Sequence, residues 1–217
     1  MFFKNHKVQG LSSPILFDNI PIKNVNVTRF LGVEIDDKLT WKNHIRYIEK
    51  KISSIMFIIK KIRYKINLTT AFKLYDSLIL SHLAYCSIIW SNVGTTNTKH
   101  LLSLQKRALR NCYYPKVAPN SEQLFKLTNK LPFTEISKMQ TATIIFQYIN
   151  SFSQLPSATR NIFKLLNNVH NHSTRSSNHL NLFVYFSRTN IRKNTIRIFG
   201  PSLWNEIPLN IREVKSY

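Results

Sequence analysis

The hydrophobic pattern of the chain changes its period after about residue 35. Before that point, apolar and polar side chains alternate loosely, which predicts strands separated by a turn at Asp18 and Asn19. Residues 28–35 are predicted to form one strand, and Gly32 within it indicates a bulge or a close backbone approach. We therefore expect the β structure to be a short N-terminal hairpin.

After the hairpin, apolar residues recur at the three- and four-residue steps of an α-helix. The clearest example begins after Thr40, a candidate N-cap, and traces a single apolar stripe. Isoleucine is only a middling helix former, so the packing of this stripe has to drive the helix. The stripe consists of Ile45, Ile48, Ile52, Ile55, Ile59 and Ile62.

Two further helices complete a predicted three-helix bundle. The second begins at Thr69 or Thr70 and ends before Ser91, and it is apolar on most sides, so we expect it to be buried. The third spans about 98–111, with Leu101, Leu104 and Ala108 inward and Lys99, Lys106, Arg107 and Arg110 outward.

The remaining residues predict shorter elements. Pro201 suits the first turn of a short helix in which Leu203 and Trp204 are buried. Helices are predicted at 121–129, at about 134–150 (carrying Ile136, Met139, Thr143, Phe146 and Ile149) and at 157–168, followed by a polar loop over 167–181 and an alternating run over 182–186.

These elements predict a mainly α protein of the α+β class. It begins with a β hairpin, continues with a helical bundle, and ends with a second helical region that has short strands. We predict three parts, with boundaries at residues 1–40, 41–116 and 117–217.

The charge of the chain is strongly unbalanced. Thirty-one Lys and Arg stand against ten Asp and Glu, a net charge of +21 that favours a polyanionic partner. Asp76 is the one acid between residues 50 and 121, against twelve basic residues, and residues 136–205 contain none. Paired-carboxylate acid–base catalysis and two-metal catalysis therefore have no basis in these segments.

Other kinds of site find little support in the sequence. Cys86 and Cys112 lack metal-ligand spacing, so we expect buried free thiols in a reducing compartment. His170, His172 and His179 have no Cys or acid beside them, which predicts exposed histidines and no metal site. We predict no catalytic residue in this chain.

No segment predicts secretion or membrane insertion. The N-terminus has no apolar core of signal-peptide length, and the longest apolar tract, 78–90, is too short to span a bilayer. We expect an intracellular protein, nuclear or cytoplasmic, without membrane contact.

The basic residues of the bundle helices are the main candidate site. They can contact phosphates and so give salt-dependent, sequence-independent binding of nucleic acid, although a solvated charged face is the alternative. Trp41, Tyr47 and Tyr64 can either stack on bases or pack in the protein, and packing is favoured for Trp41. The candidate contacts are Lys42, Arg46, Lys50, Lys51, Lys60, Lys61, Arg63, Lys65, Lys106, Arg107 and Arg110.

Four segments carry a family resemblance, and they occur in order along the chain. They are RFLGVEIDDKLTWKNHIRYIEKKIS, LYDSLILSHLAYCSIIW, LLSLQKRALRNC and SRTNIRKNTIRIFGPSLWNEIP. Together they resemble the C-terminal part of the reverse transcriptase of non-LTR retrotransposons, of the jockey-like and related clades.

The resemblance implies that successive segments of the chain correspond to different parts of the polymerase. Phe30, Leu31 and Gly32 are similar to the primer-grip hairpin of that family, the helices after them resemble the thumb, and the rest resembles the region beyond the thumb. The implied partners are the RNA and DNA of a template–primer, together with a palm and fingers that would precede this chain. We expect a truncated polymerase.

The catalytic aspartates of the family, which would hold Mg²⁺, belong to an aromatic-Ala-Asp-Asp turn before the primer grip. Asp36 and Asp37 follow Phe-Leu-Gly and lack that prefix, so we interpret them as turn or helix-start carboxylates. The resemblance therefore implies no cofactor and no polymerase activity for this chain alone. The alternatives are an inactive structural relic and a helical protein–protein interaction module.

Overall fold

A computed structural model describes residues 15–92, 95–113, 120–150, 161–169 and 180–213. The chain divides into two compact units. Unit 1 comprises Met1–Cys86 and Val93–Lys130, and unit 2 comprises Ser87–Asn92 and Leu131–Tyr217. The mainly helical fold with short N-terminal β structure confirms the predicted fold class. The predicted three-part division stays a prediction.

Unit 1 begins with two antiparallel hairpins. Strands β1 (Leu16–Phe17) and β2 (Ile20–Pro21) pair across the predicted turn, where Asp18 and Asn19 both have positive φ. Strands β3 (Val27–Phe30) and β4 (Val33–Asp36) form the second hairpin. The single strand predicted over 28–35 is therefore wrong, because the chain reverses at Leu31 and Gly32.

Helix α1 (Lys42–Ile62) carries the predicted apolar stripe into the core of unit 1. Ile52 and Ile59 are almost fully buried, whereas Ile55 and Ile62 are half-buried. Met56 is buried in place of Ile55, because a stripe of period 3.6 drifts slowly around the helix.

The second predicted helix is interrupted. It begins at α2 (Leu68–Leu74), continues as a π-helical segment (Tyr75–Leu80) into α3 (Ser81–Ala84), and resumes as α4 (Ser87–Trp90). Cys86 has a φ of 51°, which ends the regular helix there. The expectation of all-round burial is also wrong, since Ala71, Tyr75, Ile79 and Leu83 are buried while Leu78, Tyr85 and Ile89 are exposed.

Helix α5 (Thr95–Tyr113) runs beside α1 in unit 1, and α6 (Ser121–Thr128) packs on α5. Glu49 contacts His100, and further along both helices the side chain of Arg63 contacts the backbone of Cys112. The two helices are therefore parallel. The predicted inward face of α5 is confirmed, since Leu101, Leu104 and Ala108 are buried.

Unit 2 is built on α7 (Phe133–Asn150). Its N-terminal half packs against α4, where Trp90 stacks on Phe133 with ring centroids 5.3 Å apart. Its C-terminal half packs against α9 (Ile196–Glu206). A Cβ atom at Gly200 would approach Ile145 Cδ1 to 3.0 Å, so this glycine permits the close contact. The core cluster consists of Ile145, Tyr148, Phe163, Leu182 and Trp204.

Three predictions for unit 2 are wrong. The described end of the segment 157–168 contains a short 3₁₀ turn (Leu166–Asn168) and no α-helix. The run 182–186 is extended but pairs only through one bridge, between Leu165 and Leu182. Pro201 lies inside α9, because that helix begins at Ile196.

Two short helices, α8 (Asn190–Lys193) and α10 (Leu209–Arg212), flank α9. Trp204 is buried as predicted, and Leu203 is half-buried. The predictions for residues 1–14, for residues 157–160 and for His170, His172 and His179 lie outside the described residues.

Candidate nucleic-acid interface

The tip of the second hairpin holds the three primer-grip-like residues. Phe30 and Leu31 are exposed by 62% and 73%, and Leu31 and Gly32 form a two-residue turn with φ of 46° and 83°. Such turns suit the right-handed twist of paired strands, and glycine accepts positive φ without steric cost. Gly32 is therefore a turn glycine, not the predicted bulge.

The side chain of Tyr85, at the C-terminal end of α3, holds the tip of the second hairpin in place. The hydroxyl of Tyr85 donates a hydrogen bond of 2.7 Å to the carbonyl of Leu31. A Cβ atom at Gly32 would lie 3.6 Å from Tyr85 Cε1, an ordinary contact distance. The backbone conformation and not the available space therefore demands glycine here. Sequence reasoning missed Tyr85, because 54 residues separate it from Leu31.

Asp36 links the hairpin to α1. Its buried carboxylate accepts hydrogen bonds from the backbone N–H groups of Lys38 (3.2 Å), Thr40 (2.9 Å) and Trp41 (2.7 Å). This confirms that Asp36 is a turn and helix-start carboxylate. Thr40 is not the N-cap as predicted, because Trp41 occupies that position with a left-handed φ of 59° and Asp36 supplies the acceptor.

A cluster of aromatic and basic side chains lies at the same junction. The Arg29 guanidinium lies 5.1 Å from the ring centroid of Tyr47, and Lys51 Nζ lies 5.7 Å from it. His44 stacks on Tyr47 and is buried, and its Nδ1 accepts a hydrogen bond of 3.4 Å from the Glu34 N–H. Burial, aided by the Arg29 charge, lowers the pKa of His44.

This cluster changes the interpretation of two residues. Tyr47 is half-buried beneath Arg29 and Lys51, so the structure favours packing over base stacking for its ring. Arg29 is a cation beside α1 that the sequence did not single out. Trp41 is 9% exposed and packs at the helix junction as predicted, whereas Tyr64 is 73% exposed.

The outer face of α1 carries a row of exposed cations. Lys42, Arg46 and Lys50 follow one another at four-residue steps, which places them on one side of the helix. Lys60 and Lys61 extend the same side near the C-terminal end, so the row covers about 28 Å of helix. We call these five residues, Lys42, Arg46, Lys50, Lys60 and Lys61, the cationic face of α1.

The candidate cations of α5 differ from one another in solvent exposure. Arg107 is exposed, while Lys106 and Arg110 are half-buried. Arg107 lies two turns beyond His100, the residue that contacts Glu49 of α1, so Arg107 lies on the border between the helices. The structure therefore brings Arg107 toward the cationic face of α1 and gives Lys106 and Arg110 a different side.

Arg63 has a structural task. Its Nε donates to the Cys112 carbonyl at 2.5 Å and its Nη1 donates to the Ile66 carbonyl at 3.1 Å. These bonds tie the 3₁₀ turn (Arg63–Lys65) after α1 to the end of α5. Arg63 is half-buried, whereas Lys65 is exposed beside it.

The nearby acids are engaged elsewhere. Glu49 contacts His100, and Asp76 forms an ion pair of 2.7 Å with Lys130. Within the described part of the chain, none of the eleven candidate cations forms an ion pair with a carboxylate. No carboxylate of the described residues therefore neutralises the cationic face of α1.

The described residues offer no other obvious chemistry. They contain no group of three metal-ligating side chains and no helix long and apolar enough to cross a membrane. Both cysteines are free thiols; Cys112 is buried and Cys86 is half-buried. Burial raises the pKa of the Cys112 thiol to about 11, so it stays protonated at neutral pH.

Part of the chain is similar to the RNA-directed DNA polymerase of a transposable element. A 100-residue stretch is 21% identical to the probable RNA-directed DNA polymerase from transposon X-element of Drosophila melanogaster. The match covers 45% of this chain but only 11% of that polymerase. It supports the relation to non-LTR retrotransposon reverse transcriptases that the motifs predict. No protein-family model and no solved structure matches the chain significantly.

Proposed function

We propose that unit 1 binds the sugar–phosphate backbone of an RNA–DNA template–primer duplex, as a thumb-like part of a retrotransposon polymerase. The observation that carries the proposal is the cationic face of α1, whose exposed charges have no carboxylate partners among the described residues. Cations without carboxylate partners are available to phosphates, and the row follows one side of a long helix.

The hairpin tip adds a second element to this proposal. Phe30 and Leu31 present apolar side chains to solvent beside the cationic helix, and Tyr85 holds the turn in place. In the proposed complex the tip approaches the primer end, as the primer-grip resemblance implies. Exposed apolar side chains continue through Phe17 and Ile20, which suits contact with a palm and fingers.

A salt titration tests the binding proposal. The affinity of the full chain for an RNA–DNA duplex should fall linearly on a plot of log K against log salt concentration. Replacing three cations together (K42Q, R46Q and K50Q) should reduce the slope by roughly 2–3 and weaken binding uniformly across duplex sequences. A flat plot, or no binding at low salt, would exclude the proposal and favour an inactive relic.

The matched control is Lys138→Gln on α7. Lys138 is an exposed helical lysine like those of α1, but it forms an ion pair of 3.0 Å with Glu135. Its replacement should leave both the affinity and the salt slope unchanged. A loss in the control equal to one third of the loss in the triple variant would show that overall charge, and not this face, determines binding.

Polymerisation is a separate question. The 217 residues contain no aromatic-Ala-Asp-Asp turn, so we expect no primer extension by this chain alone with Mg²⁺.

The interaction-module alternative requires an accessible isoleucine stripe, and α1 buries Ile48, Ile52 and Ile59 inside unit 1.

A further inference from the structure

The second half of unit 2 contains an exposed aromatic side chain in a strongly basic setting. Phe186 is 82% exposed, the largest exposure of any apolar side chain reported for the described residues. Four exposed cations follow it along the chain, and residues 136–205 contain no acid to neutralise them. These cations are Arg188, Arg192, Lys193 and Arg197.

The orientation of Phe186 is set by its neighbours. Residues 183–187 are extended, and their side chains alternate between the protein and solvent. Tyr185 is half-buried, with the Arg197 guanidinium 4.5 Å from its ring centroid and Phe183 packed edge-on at 5.0 Å. The hydroxyl of Ser187 donates to the Thr189 carbonyl at 3.3 Å. With Tyr185 and Ser187 anchored, Phe186 between them must project outward.

An open cavity of about 530 Å³ lies against the same segment. Residues 184–187 form one wall, and Lys193 and Phe199 belong to the other. Its volume falls within the range of roughly 300–1,000 Å³ typical of small-molecule pockets, and its lining is mainly apolar. A flat aromatic group can therefore lie beside Phe186 while an attached anion reaches Lys193.

We propose that Phe186 and the surrounding cations form a binding site for single-stranded nucleic acid, with an unpaired base stacked on Phe186. Aromatic platforms inside positively charged grooves bind single strands without sequence preference, because every base has a π-face. Bases within a duplex are stacked on each other and offer no such face. This site is separate from the duplex face proposed on α1, and it does not depend on that proposal.

Charge and chemistry favour this occupant over an anionic lipid surface. The exposed aromatic ring and the cations that follow it in the chain match the flat base and the linked phosphates of a nucleotide. The relation of the chain to an RNA-directed DNA polymerase also points to nucleic acid. Stacking and phosphate contact do not distinguish RNA from DNA, so both belong in the test.

Fluorescence anisotropy with labelled oligothymidine and oligouridine tests the site in the full chain. Phe186→Ala should weaken binding to both strands by roughly 5- to 150-fold, the range typical of lost base stacking. Phe186→Trp should retain the affinity. Ile211→Ala, an exposed apolar change on α10 outside the lining of the cavity, should have no effect. Unchanged affinity in Phe186→Ala would overturn the proposal.

An abasic strand of the same length separates stacking from charge. Wild type and Phe186→Ala should bind it equally, because it offers phosphates but no bases; an equal loss on the abasic strand would overturn the stacking role. A further control uses vesicles containing phosphatidylserine. If Phe186→Ala weakens vesicle binding and leaves single-strand binding intact, the site serves a membrane surface and the proposal is wrong.

Two readouts keep this test independent of the duplex proposal. Phe186→Ala should leave RNA–DNA duplex binding unchanged, whereas the K42Q, R46Q and K50Q replacement should weaken it. Thermal melting followed by circular dichroism should be the same for wild type and Phe186→Ala, since an 82% exposed side chain contributes little to packing.

Discussion

Helices α1 and α7 are of similar length, but they use polar residues in opposite ways. On α1 most of the charged residues are cations that face solvent, and the buried side is apolar except for His44. On α7 the buried side includes Ser137 and Thr141. Ser137 contacts Ser91, and the Ser87 hydroxyl lies 2.6 Å from Gln140 Oε1. The polar side chains of α7 therefore hydrogen-bond to the α4 segment and hold it in place.

This difference between α1 and α7 indicates different roles for their polar side chains. A helix that buries mainly apolar side chains and exposes cations without carboxylate partners can offer those cations to another molecule. A helix that buries hydroxyls with partners uses them to fix its neighbour, and its single cation, Lys138, is paired. The contrast is consistent with the binding role proposed for α1, and it gives α7 a structural role in holding α4.

The largest expected effect tests the apolar side of α1. Ile52→Ala removes a fully buried side chain between α1 and its neighbours, and it should lower the free energy of unfolding by about 3–4 kcal/mol. Urea unfolding would measure the loss. Ile55→Ala, on the same helix but half-buried, should cost clearly less, and equal costs would contradict the described stripe.

The next effect concerns the beginning of α1. Asp36→Ala leaves three backbone N–H groups without their acceptor, and we expect a loss of about 2–3 kcal/mol of unfolding free energy. Asp37→Ala is the matched control, because the structure assigns its carboxylate no such cap. Similar losses for the two variants would show that Asp36 does not start the helix.

A smaller effect tests the polar side of α7. Ser137→Ala leaves the buried Ser91 hydroxyl without this contact, which should cost about 1–2 kcal/mol. Ser54→Ala on α1 removes an exposed hydroxyl that bonds only to its own helix, at Lys50, and should change stability by less than about 0.5 kcal/mol. If Ser54 proves as costly as Ser137, the contrast between the helices fails.

The smallest effect is a pH dependence that α1 has and α7, which contains no histidine, lacks. The pKa of His44 is lowered in the folded state, so the unfolded chain takes up this proton first as pH falls below the ordinary value of 6.5. Stability is therefore full above that pH and falls as the pH is lowered toward the folded pKa. Denaturant titrations at several pH values should show this slope, and His44→Gln should reduce it.

Sequence patterns predicted α1 well because one strong signal, an apolar stripe with cations opposite, decides both its fold and its candidate site. They predicted α7 less well. Met139 is 52% exposed although it fits the apolar period of the helix, because buried Ser137 and Thr141 take the inner face. The hydroxyl partner of Ser137 is Ser91, just after α4 and 46 residues earlier in the chain, and no local pattern reveals such a partner.

The candidate site follows the same division. The exposed cations of α1 could be predicted from spacing alone, but the use of Arg63 to bind the Cys112 carbonyl could not, since it depends on where α5 ends. Tyr85, the anchor of the hairpin tip, was invisible for the same reason. Cys86 breaks the second helix through a backbone conformation that its residue type does not favour.

The contact between Trp90 and Phe133 also has a consequence for biosynthesis. Trp90 is fully buried against a residue that the ribosome adds roughly 40 positions later, which takes roughly 2–8 s at about 5–20 residues per second. During that interval the indole of α4 has no α7 to cover it. The nascent chain must therefore carry an exposed tryptophan that invites chaperone binding or misassembly until α7 emerges.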